Sequence, residues 1–489
     1  MPFVTAAAMR SLEDDAFLRV VSAESLMDLA GAGIALRLIN HFPRPGQAIA
    51  YVGKGNNGGD ALVALRHLHD AGWRIAIRQA FPEIEWTTLA RRKLRELGDM
   101  PTPAGISNQP GPCLLLDGLL GIGAKGALRP ALANLAAEMT RHRESRGAVI
   151  AAMDLPSGMN ADTGEGGTFT VDLTLTVGVP KLGLTSESGI SRAGRIFLVP
   201  LDDLPLPDDG DLRLFCPEAF PGLLPPRPHD FHKGQAGRLG ILAGSPGMTG
   251  AAVLCSEAAL RGGAGLITLH VGRDFLPTLA AAMPPEIMVR VSEDPVTDAF
   301  DSGHDALVIG PGTGNVPDGW RACLLDRLGK STIPALLDAD ALNLLAVTGR
   351  LDLLRPWHVI TPHTGEFHRL APDLKGQDRL QAVSTFTSRH ACTLLLKGTR
   401  TLVSAPGTSI RFNPTGHAGM ASGGQGDVLA GIAGALLAQG LSGPDAAALA
   451  AWLCGRAAER ALDEGPFTAA GATLRHLGGA LRDWQECRR

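Results

Sequence analysis

Among the chain's carboxylates, Asp427 sits in the setting most suited to chemistry. It follows Gly423, Gly424, Gln425 and Gly426 in the stretch GMASGGQGDVLAG, residues 419–431, and an apolar Ala/Gly-rich run from Val428 to Ala438 comes after it. The spacing predicts a glycine turn feeding a helix, with Asp427 in the first helical turn. Glycines allow positive φ and a close approach of backbone to ligand. A helix start offers unpaired N–H groups to an anion, with support from the helix dipole. A carboxylate beside such an anion hole can take a proton from a hydroxyl while the hole neutralises a moving phosphoryl group. Taken alone, the stretch reads equally as a Gly-rich turn in which Asp427 caps the helix.

A phosphoryl donor needs its own cradle. The loop KGTRT, made of Lys397, Gly398, Thr399, Arg400 and Thr401, follows the apolar run Thr393–Leu396 and offers a cation, hydroxyls and backbone N–H groups to a nucleotide phosphate. NPTGHAG, residues 413–419, lies just before the glycine turn. His363 in TPHTGEF follows another apolar run and faces either a ligand or, as lone histidines more often do, the protein itself. Asp338 and Asp340 in LDADALNLL read more as helix caps than as cation ligands. No GxxxxGK[ST] signature occurs, so a P-loop nucleotidase is not supported.

The first half carries a different set. AIAYV, residues 48–52, runs into GKGNNGGDALV, so a strand, a glycine loop and a helix follow in the order of a βα phosphate-binding turn. Asn56, Asn57, Gly58, Gly59 and Asp60 form its polar tip. Asp117 and Asp154 each follow an apolar run, Ser157 comes three residues after Asp154, and the glycine loop of residues 121–127 lies between them. Carboxylate, amide and hydroxyl oxygens converging there suit a group I or II cation rather than zinc. Asp117 and Asp154 could instead cap helices.

These loops need a frame. Apolar runs at 48–52, 75–80, 113–116 and 148–153, and again at 239–243, 266–271, 306–309, 335–337, 358–361 and 393–396, alternate with helical segments. That pattern predicts α/β architecture with parallel sheets, whose ligands collect at the carboxyl ends of the strands. Residues 1–40 read as helical, with Leu26, Leu29, Ile34 and Leu38 at helical spacing. A Pro- and Asp-rich segment, 200–228, reads as a linker, which places a domain boundary near 220 and gives domains 1–220 and 221–489. The chain's 489 residues suffice for two or more domains. A net charge of −4 leaves no basic footprint for nucleic acid, and one Tyr and six Trp argue against stacking on single strands. Seven scattered cysteines form no C-x-x-C pair. Acidic residues 13–15 argue against a leader, and no apolar run reaches the length of a membrane span. A cytoplasmic protein, without membrane or nucleic-acid partners, is expected.

GKGNNGGDALV, LLLDGLLGIGAKGALRP and MDLPSGMNADTG, in that order, resemble the YjeF N-terminal family, the NAD(P)H-hydrate epimerases. The resemblance implies a Rossmann-like three-layer αβα sandwich that binds potassium through Asn57, Asp117 and Ser157. Substrate would be lined by Asn56–Asp60, by Gly121, Ile122, Gly123, Ala124, Lys125, Gly126 and Ala127, and by Asp154, which would handle the proton. Ala61 stands where the family has Gly, and Asn160 where it has Asp. GSPGMTGAA, ALRGGAGLITL, GPGTG, LDADALNLL, TPHTGEF, KGTRT and GMASGGQGDVLAG likewise resemble the ADP-dependent NAD(P)H-hydrate dehydratases, the YjeF C-terminal branch of the ribokinase-like superfamily. That likeness implies substrate contacts at Ala251, Gly314, His363 and Asp427, with Asp427 as base, and nucleotide contacts at Lys397–Thr401 and Gly426. Gln425 replaces the family's Thr, and its amide is expected to keep donating to the anion. Together the resemblances imply repair of hydrated NADH and NADPH: R and S hydrates interconvert, and the S form is dehydrated with ADP, and Mg2+, to give AMP and phosphate. A homo-oligomer is expected. The alternative is a ribokinase-like kinase of the hydroxymethylpyrimidine or thiazole type with a non-catalytic N-terminal binding domain.

Overall fold

A computed structural model describes all residues except 20, 99–110, 125, 168, 206, 208–209, 315–316 and 487–489. It divides the chain into two compact units, Met1–Gly210 and Asp211–Arg489. The division falls ten residues before the expected one. The segment read as linker contains a strand, Leu212–Leu214, that pairs in the second sheet.

The first unit has six strands: β1 (Gln47–Val52), β2 (Arg74–Gln79), β3 (Cys113–Gly118), β4 (Val149–Met153), β5 (Leu173–Val177) and β6 (Arg195–Val199). They pair in the order β2-β1-β3-β4-β5-β6, all parallel. Ile49, Tyr51, Leu115, Ile150 and Ala152 face the helix Pro130–Arg146 through Leu132, Ala136 and Met139. Alternation sends Ala48, Ala50 and Val52 to the other face, where the helices Ala23–His41 and Asn56–Asp70 pack. The result is three layers, αβα. The N-terminal helical region is two helices, Ala6–Leu18 and Ala23–His41, and Leu29 of the expected apolar face is exposed.

Strands of the second unit are β7 (Leu212–Leu214), β8 (Arg238–Leu242), β9 (Leu266–Gly272), β10 (Met288–Ser292), β11 (Ala306–Ile309), β12 (Ala335–Leu337), β13 (His358–Ile360), β14 (Thr393–Leu396), β15 (Leu402–Ser404) and β16 (Ile410–Phe412). The sheet order is β10-β9-β8-β11-β12-β13-β14-β15-β16-β7. It is parallel from β10 to β14, antiparallel at β14–β15 and β15–β16, and parallel again at β16–β7. The helix Gln425–Ala438 is buried from Val428 onward and lies against the helix Thr249–Arg261. Gly431 permits that contact: a Cβ there would lie 2.1 Å from the Cys255 carbonyl oxygen.

In both sheets the chain leaves a central strand in one direction and returns on its other side. This happens between β1 and β3 in the first sheet and between β8 and β11 in the second. Crevices at the carboxyl ends of parallel strands open at such reversals.

Candidate active sites

The first crevice is a cavity of about 710 Å³. Asn56, Asn57 and Asp60 line it from the loop and helix after β1, Gly121–Ala124 and Ala127 from the loop after β3, and Asp154 from the end of β4. Three expected lining residues do not. Gly58 and Gly59 face the core, where added Cβ atoms would meet Val52 Cγ1 at 2.7 Å and Met27 Sδ at 2.5 Å, so these glycines permit packing behind the wall. Gly126 supplies a left-handed turn, φ +74°. Lys125 lies outside the described residues. Ala61 is fully buried against Gly118, whose missing side chain leaves room for the methyl group. Asn160 Oδ1 accepts from the N–H groups of Asp162 and Thr163, a turn role that an aspartate fills equally well.

Beside the cavity, Asp117 is fully buried at the end of β3. Ser157 donates to it twice, from its amide (2.8 Å) and its hydroxyl (2.6 Å), and Leu119 N–H approaches at 3.4 Å. Ser157 Oγ also accepts from Leu120 N–H, and Asn57 Nδ2 donates to Leu120 C=O at 3.0 Å. Asn57, Asp117 and Ser157 thus meet around Leu120. Neither Asp117 nor Asp154 caps a helix among the described residues. Burial pushes the Asp117 carboxyl up to about 6, against the pull of its Ser157 and Leu119 donors. Among the described residues no cationic side chain pairs with it.

Asp154 adopts φ +72°, a left-handed conformation that few non-glycine residues hold outside functional turns. Its Oδ1 accepts from Val177 N–H at 3.0 Å and from Lys181 Nζ at 2.5 Å. Lys181 was not among the expected site residues. It is 1% exposed and also donates to Val177 C=O. The strand-end rule could have found it, because it lies just past β5, but β5 alternates Leu with Thr and was not recognised as a strand.

In the second unit a cavity of about 680 Å³ opens between the loops after β8 and β11. Gly314 lines it; Ala251, His363, Lys397 and Asp427 do not. The carboxylate chemistry lies beyond the ends of β12–β14. Asp427 is in the first turn of its helix, behind Gly424 at φ +90°. Val428 N–H is the first to bond back, to Gly424 C=O, so the amides of Gln425, Gly426 and Asp427 have no acceptor within the helix. Asp427 itself is partly buried. Burial first, then the neighbouring Asp338 carboxylate, pushes it up to about 6, while Lys397 pulls it down.

Asp338 does not cap a helix. Its Oδ1 accepts from Lys397 Nζ at 2.8 Å, and Glu366 Oε2 lies 4.0 Å from the same ammonium. A Cβ on Gly426 would lie 3.5 Å from Lys397 Nζ and 3.8 Å from Asp338 Oδ2, so this pair sits against the turn before Asp427. Asp340 is no cap either: its Oδ2 accepts from Gly314 N–H at 2.7 Å and fixes the loop after β11. Residues 338–340 therefore connect the cavity to the carboxylate cluster.

Three other expectations are corrected. His363 is a helix cap: its Nδ1 accepts from the N–H groups of Gly365 and Glu366, and Glu366 accepts from His363 N–H in return. Its side chain is nonetheless 56% exposed, which leaves the Nε2 edge open to a ligand. Arg400 turns inward and donates to Pro414 C=O at 2.6 Å, while Gly398 and Thr399 beside it are exposed. Gln425 does not aim its amide at the anion position; it donates to Thr468 C=O and accepts from Thr473 Oγ1, which ties the turn to the C-terminal helix.

Residues 239–477 match the family described as NAD(P)H-hydrate dehydratase, and residues 23–183 match the YjeF-related protein N-terminus. The bifunctional NAD(P)H-hydrate repair enzyme of Moorella thermoacetica is 35% identical, over 99% of this chain and 98% of its own length. That of Escherichia coli is 34% identical, over 86% of this chain and 81% of its own. A ribokinase-like superfamily protein from Enterococcus faecalis superposes with a TM-score of 0.52 at 24% identity, over 57% of this chain and 99% of its own.

Proposed function

The chain belongs to the bifunctional NAD(P)H-hydrate repair enzymes, and from that premise we propose how its residues divide the work. The first unit epimerises the R and S hydrates of NADH and NADPH. The second dehydrates the S form at the expense of ADP, with AMP and phosphate as by-products. A small-molecule kinase with a non-catalytic N-terminal binding domain is not favoured, because relatives that match across both units are bifunctional hydrate repair enzymes.

In the second unit Asp427 takes the proton from the C6 hydroxyl. That oxygen attacks the β-phosphorus of ADP, and AMP departs. Phosphate then leaves C6, and C5 gives up a proton to solvent as the C5=C6 double bond forms. Phosphorylation replaces hydroxide, a poor leaving group, with a good one. The amides of Gln425–Asp427 face the phosphoryl group's moving charge, and Lys397, steadied by Asp338 and Glu366, supplies a cation at the same turn. Gly398 and Thr399 give backbone and hydroxyl donors to the nucleotide. Magnesium enters with the nucleotide's own phosphates and waters, since the nearby carboxylates of Asp338 and Glu366 already serve Lys397.

In the first unit Asn57, Asp117 and Ser157 hold potassium. The fit rests on a buried carboxylate with only neutral donors, which a weakly hydrated monovalent cation would neutralise. When bound, the ion ties the loops after β1, β3 and β4 together. Asp154 handles the proton at C6. The cytoplasm is the proposed place of action; no helix among the described residues is long and apolar enough to cross a membrane.

The observation that carries the reading of the second unit is Asp427 at an open helix start, against the Lys397–Asp338 pair. The test is product analysis. S-hydrate of NADH with ADP yields free NADH, AMP and phosphate in equal amounts, and Asp427→Asn lowers that rate at least about a hundredfold while the protein still binds nucleotide. Accumulation of a stable phosphorylated product, or near-normal turnover by Asp427→Asn, would defeat it.

A further inference from the structure

The cavity of the first unit holds more ionisable groups than one proton transfer needs. Asp60 enters from the helix after β1, Asp154 from the end of β4, Lys181 from beyond β5, and Glu13 from the N-terminal helix. Their environments differ. Lys181 reaches Asp154 at 2.5 Å and is itself pinned by Val177 C=O, while Val177 N–H donates to the same Asp154 oxygen. Those two donors fix the position of Asp154 Oδ1 at the cavity wall. Among the described residues Asp60 has no such partner, and it shares the cavity with Asp154 and Glu13. Burial first, then Asp154 and Glu13, push the Asp60 carboxyl well above the usual range, against a weaker opposite pull from Lys181. Glu13 is raised as well, chiefly by burial. An ion-paired carboxylate and a carboxyl whose burial favours the protonated form, lining a single cavity, can divide the roles of base and acid.

The N-terminal segment is built into this arrangement. Val4 N–H donates to Pro180 C=O and Leu182 N–H donates to Val4 C=O, so the first residues form a bridge across the backbone of Lys181. The same contact fixes the helix that delivers Glu13.

We propose that Asp60 is the acid and Asp154, positioned by Lys181, the base of a two-carboxylate epimerisation at C6 of the hydrated nicotinamide. This rests on the assignment of the first unit to hydrate epimerisation. Asp60 gives its proton to the C6 hydroxyl; the C6–O bond breaks, its electron pair leaves with the new water, and the N1 lone pair forms N1=C6. Water then adds to the opposite face of C6. As the new C6–O bond forms, the π pair returns to N1 and the water's extra proton passes to Asp154. One turnover moves a proton from Asp60 to Asp154, and the reverse epimerisation or exchange through solvent restores it. No redox partner is required.

The test uses the full-length protein without ADP, so that dehydration is silent, and follows conversion of purified R-hydrate of NADH to the S form chromatographically, above the uncatalysed rate. Asp60→Asn is expected to lose at least about a hundredfold in kcat. Lys181→Met should lose kcat with KM changed less than about threefold, and Lys181→Arg should recover most of it, whereas a merely structural lysine would not distinguish these two replacements in kcat alone. In the wild type, kcat/KM should fall at high pH as Asp60 loses its proton, and Asp60→Asn should lack that limb. Each variant must still dehydrate S-hydrate with ADP at the parental rate, and its first thermal transition must stay in place. Retention of epimerisation within threefold by Asp60→Asn overturns the acid; equal losses in Lys181→Met and Lys181→Arg overturn the positioning role. A wild-type protein that does not interconvert the hydrates at all overturns the epimerase reading itself, a result distinct from either.

Discussion

At the scale of residues, the carboxyls of Asp427, the proposed base of dehydration, and Asp117, the proposed potassium ligand, are both raised to about 6, chiefly by burial. Asp427 is raised to about 6 by burial and by Asp338, with Lys397 opposing. A base must be ionised to act, so kcat/KM for dehydration should fall about tenfold per pH unit below roughly pH 6. Asp338→Asn removes a negative neighbour and frees the charge of Lys397, and both effects favour ionised Asp427. The acidic limb should therefore move to lower pH, although the rate at its plateau falls because Lys397 loses its anchor. A limb that stays in place, measured over roughly pH 4.5–8, would show that another group titrates there. In the first unit the corresponding lever is a cation. Asp117 is buried among neutral donors, so potassium that binds only the folded chain should stabilise it by about 1.4 kcal/mol at ten times its dissociation constant, or roughly 3–6 °C in the transition it affects. Thermal scans in potassium against choline chloride measure this, and Asp117→Ala should abolish the difference.

At the scale of elements, the site depends on close helix contacts that only small residues allow. Gly431 lets the helix bearing Asp427 approach the helix Thr249–Arg261, where an added methyl would overlap the Cys255 carbonyl. Gly431→Ala should cost about 1–3 kcal/mol and lower the melting temperature of the second unit by roughly 2–8 °C, with dehydration impaired as the Asp427 turn shifts. An unchanged melting temperature would mean that the helices separate without penalty. These glycines explain which parts of the fold were legible. Strands that end in a Gly, Asp or His cluster, such as β1, β3, β4 and β11, announce themselves by composition, and so do the loops they carry. β5 and β6, the short antiparallel β15 and β16, and β7 inside a proline-rich stretch have no such punctuation. Missing β5 hid Lys181, because its partnership with Asp154 spans 27 residues and exists only through the register of β4 with β5. The directions of side chains were hidden for a related reason. KGTRT shows a cation and hydroxyls, but only packing decides that Lys397 turns to Asp338 while Arg400 turns to Pro414. His363 and Gln425 were read as ligand groups because their types suit ligands, yet local backbone amides occupy one ring nitrogen of His363, and Thr468 and Thr473 occupy the Gln425 amide.

At the scale of the whole molecule, each cavity is lined by one unit alone, residues 9–204 for the first and 242–347 for the second. The proposed epimerase residues lie in the first unit and the proposed dehydratase residues in the second, so the S-hydrate released by one reaction is the substrate of the other. If release is to solvent, the two activities need not reside on one molecule. A chain carrying Asp154→Ala should convert R-hydrate to NADH only as fast as the hydrates interconvert spontaneously, yet consume S-hydrate normally. A chain carrying Asp427→Asn should interconvert the hydrates and produce almost no NADH. Mixed in equal amounts with ADP and R-hydrate, the two should restore NADH formation after a lag in which free S-hydrate builds up, and the rate should rise as either partner is added. Recovery depends only on diffusion of a small soluble intermediate, so it should not need the two chains to associate. Failure of the mixture to exceed the Asp154→Ala chain alone, with both variants active in their remaining step, would show that the intermediate is passed on without release.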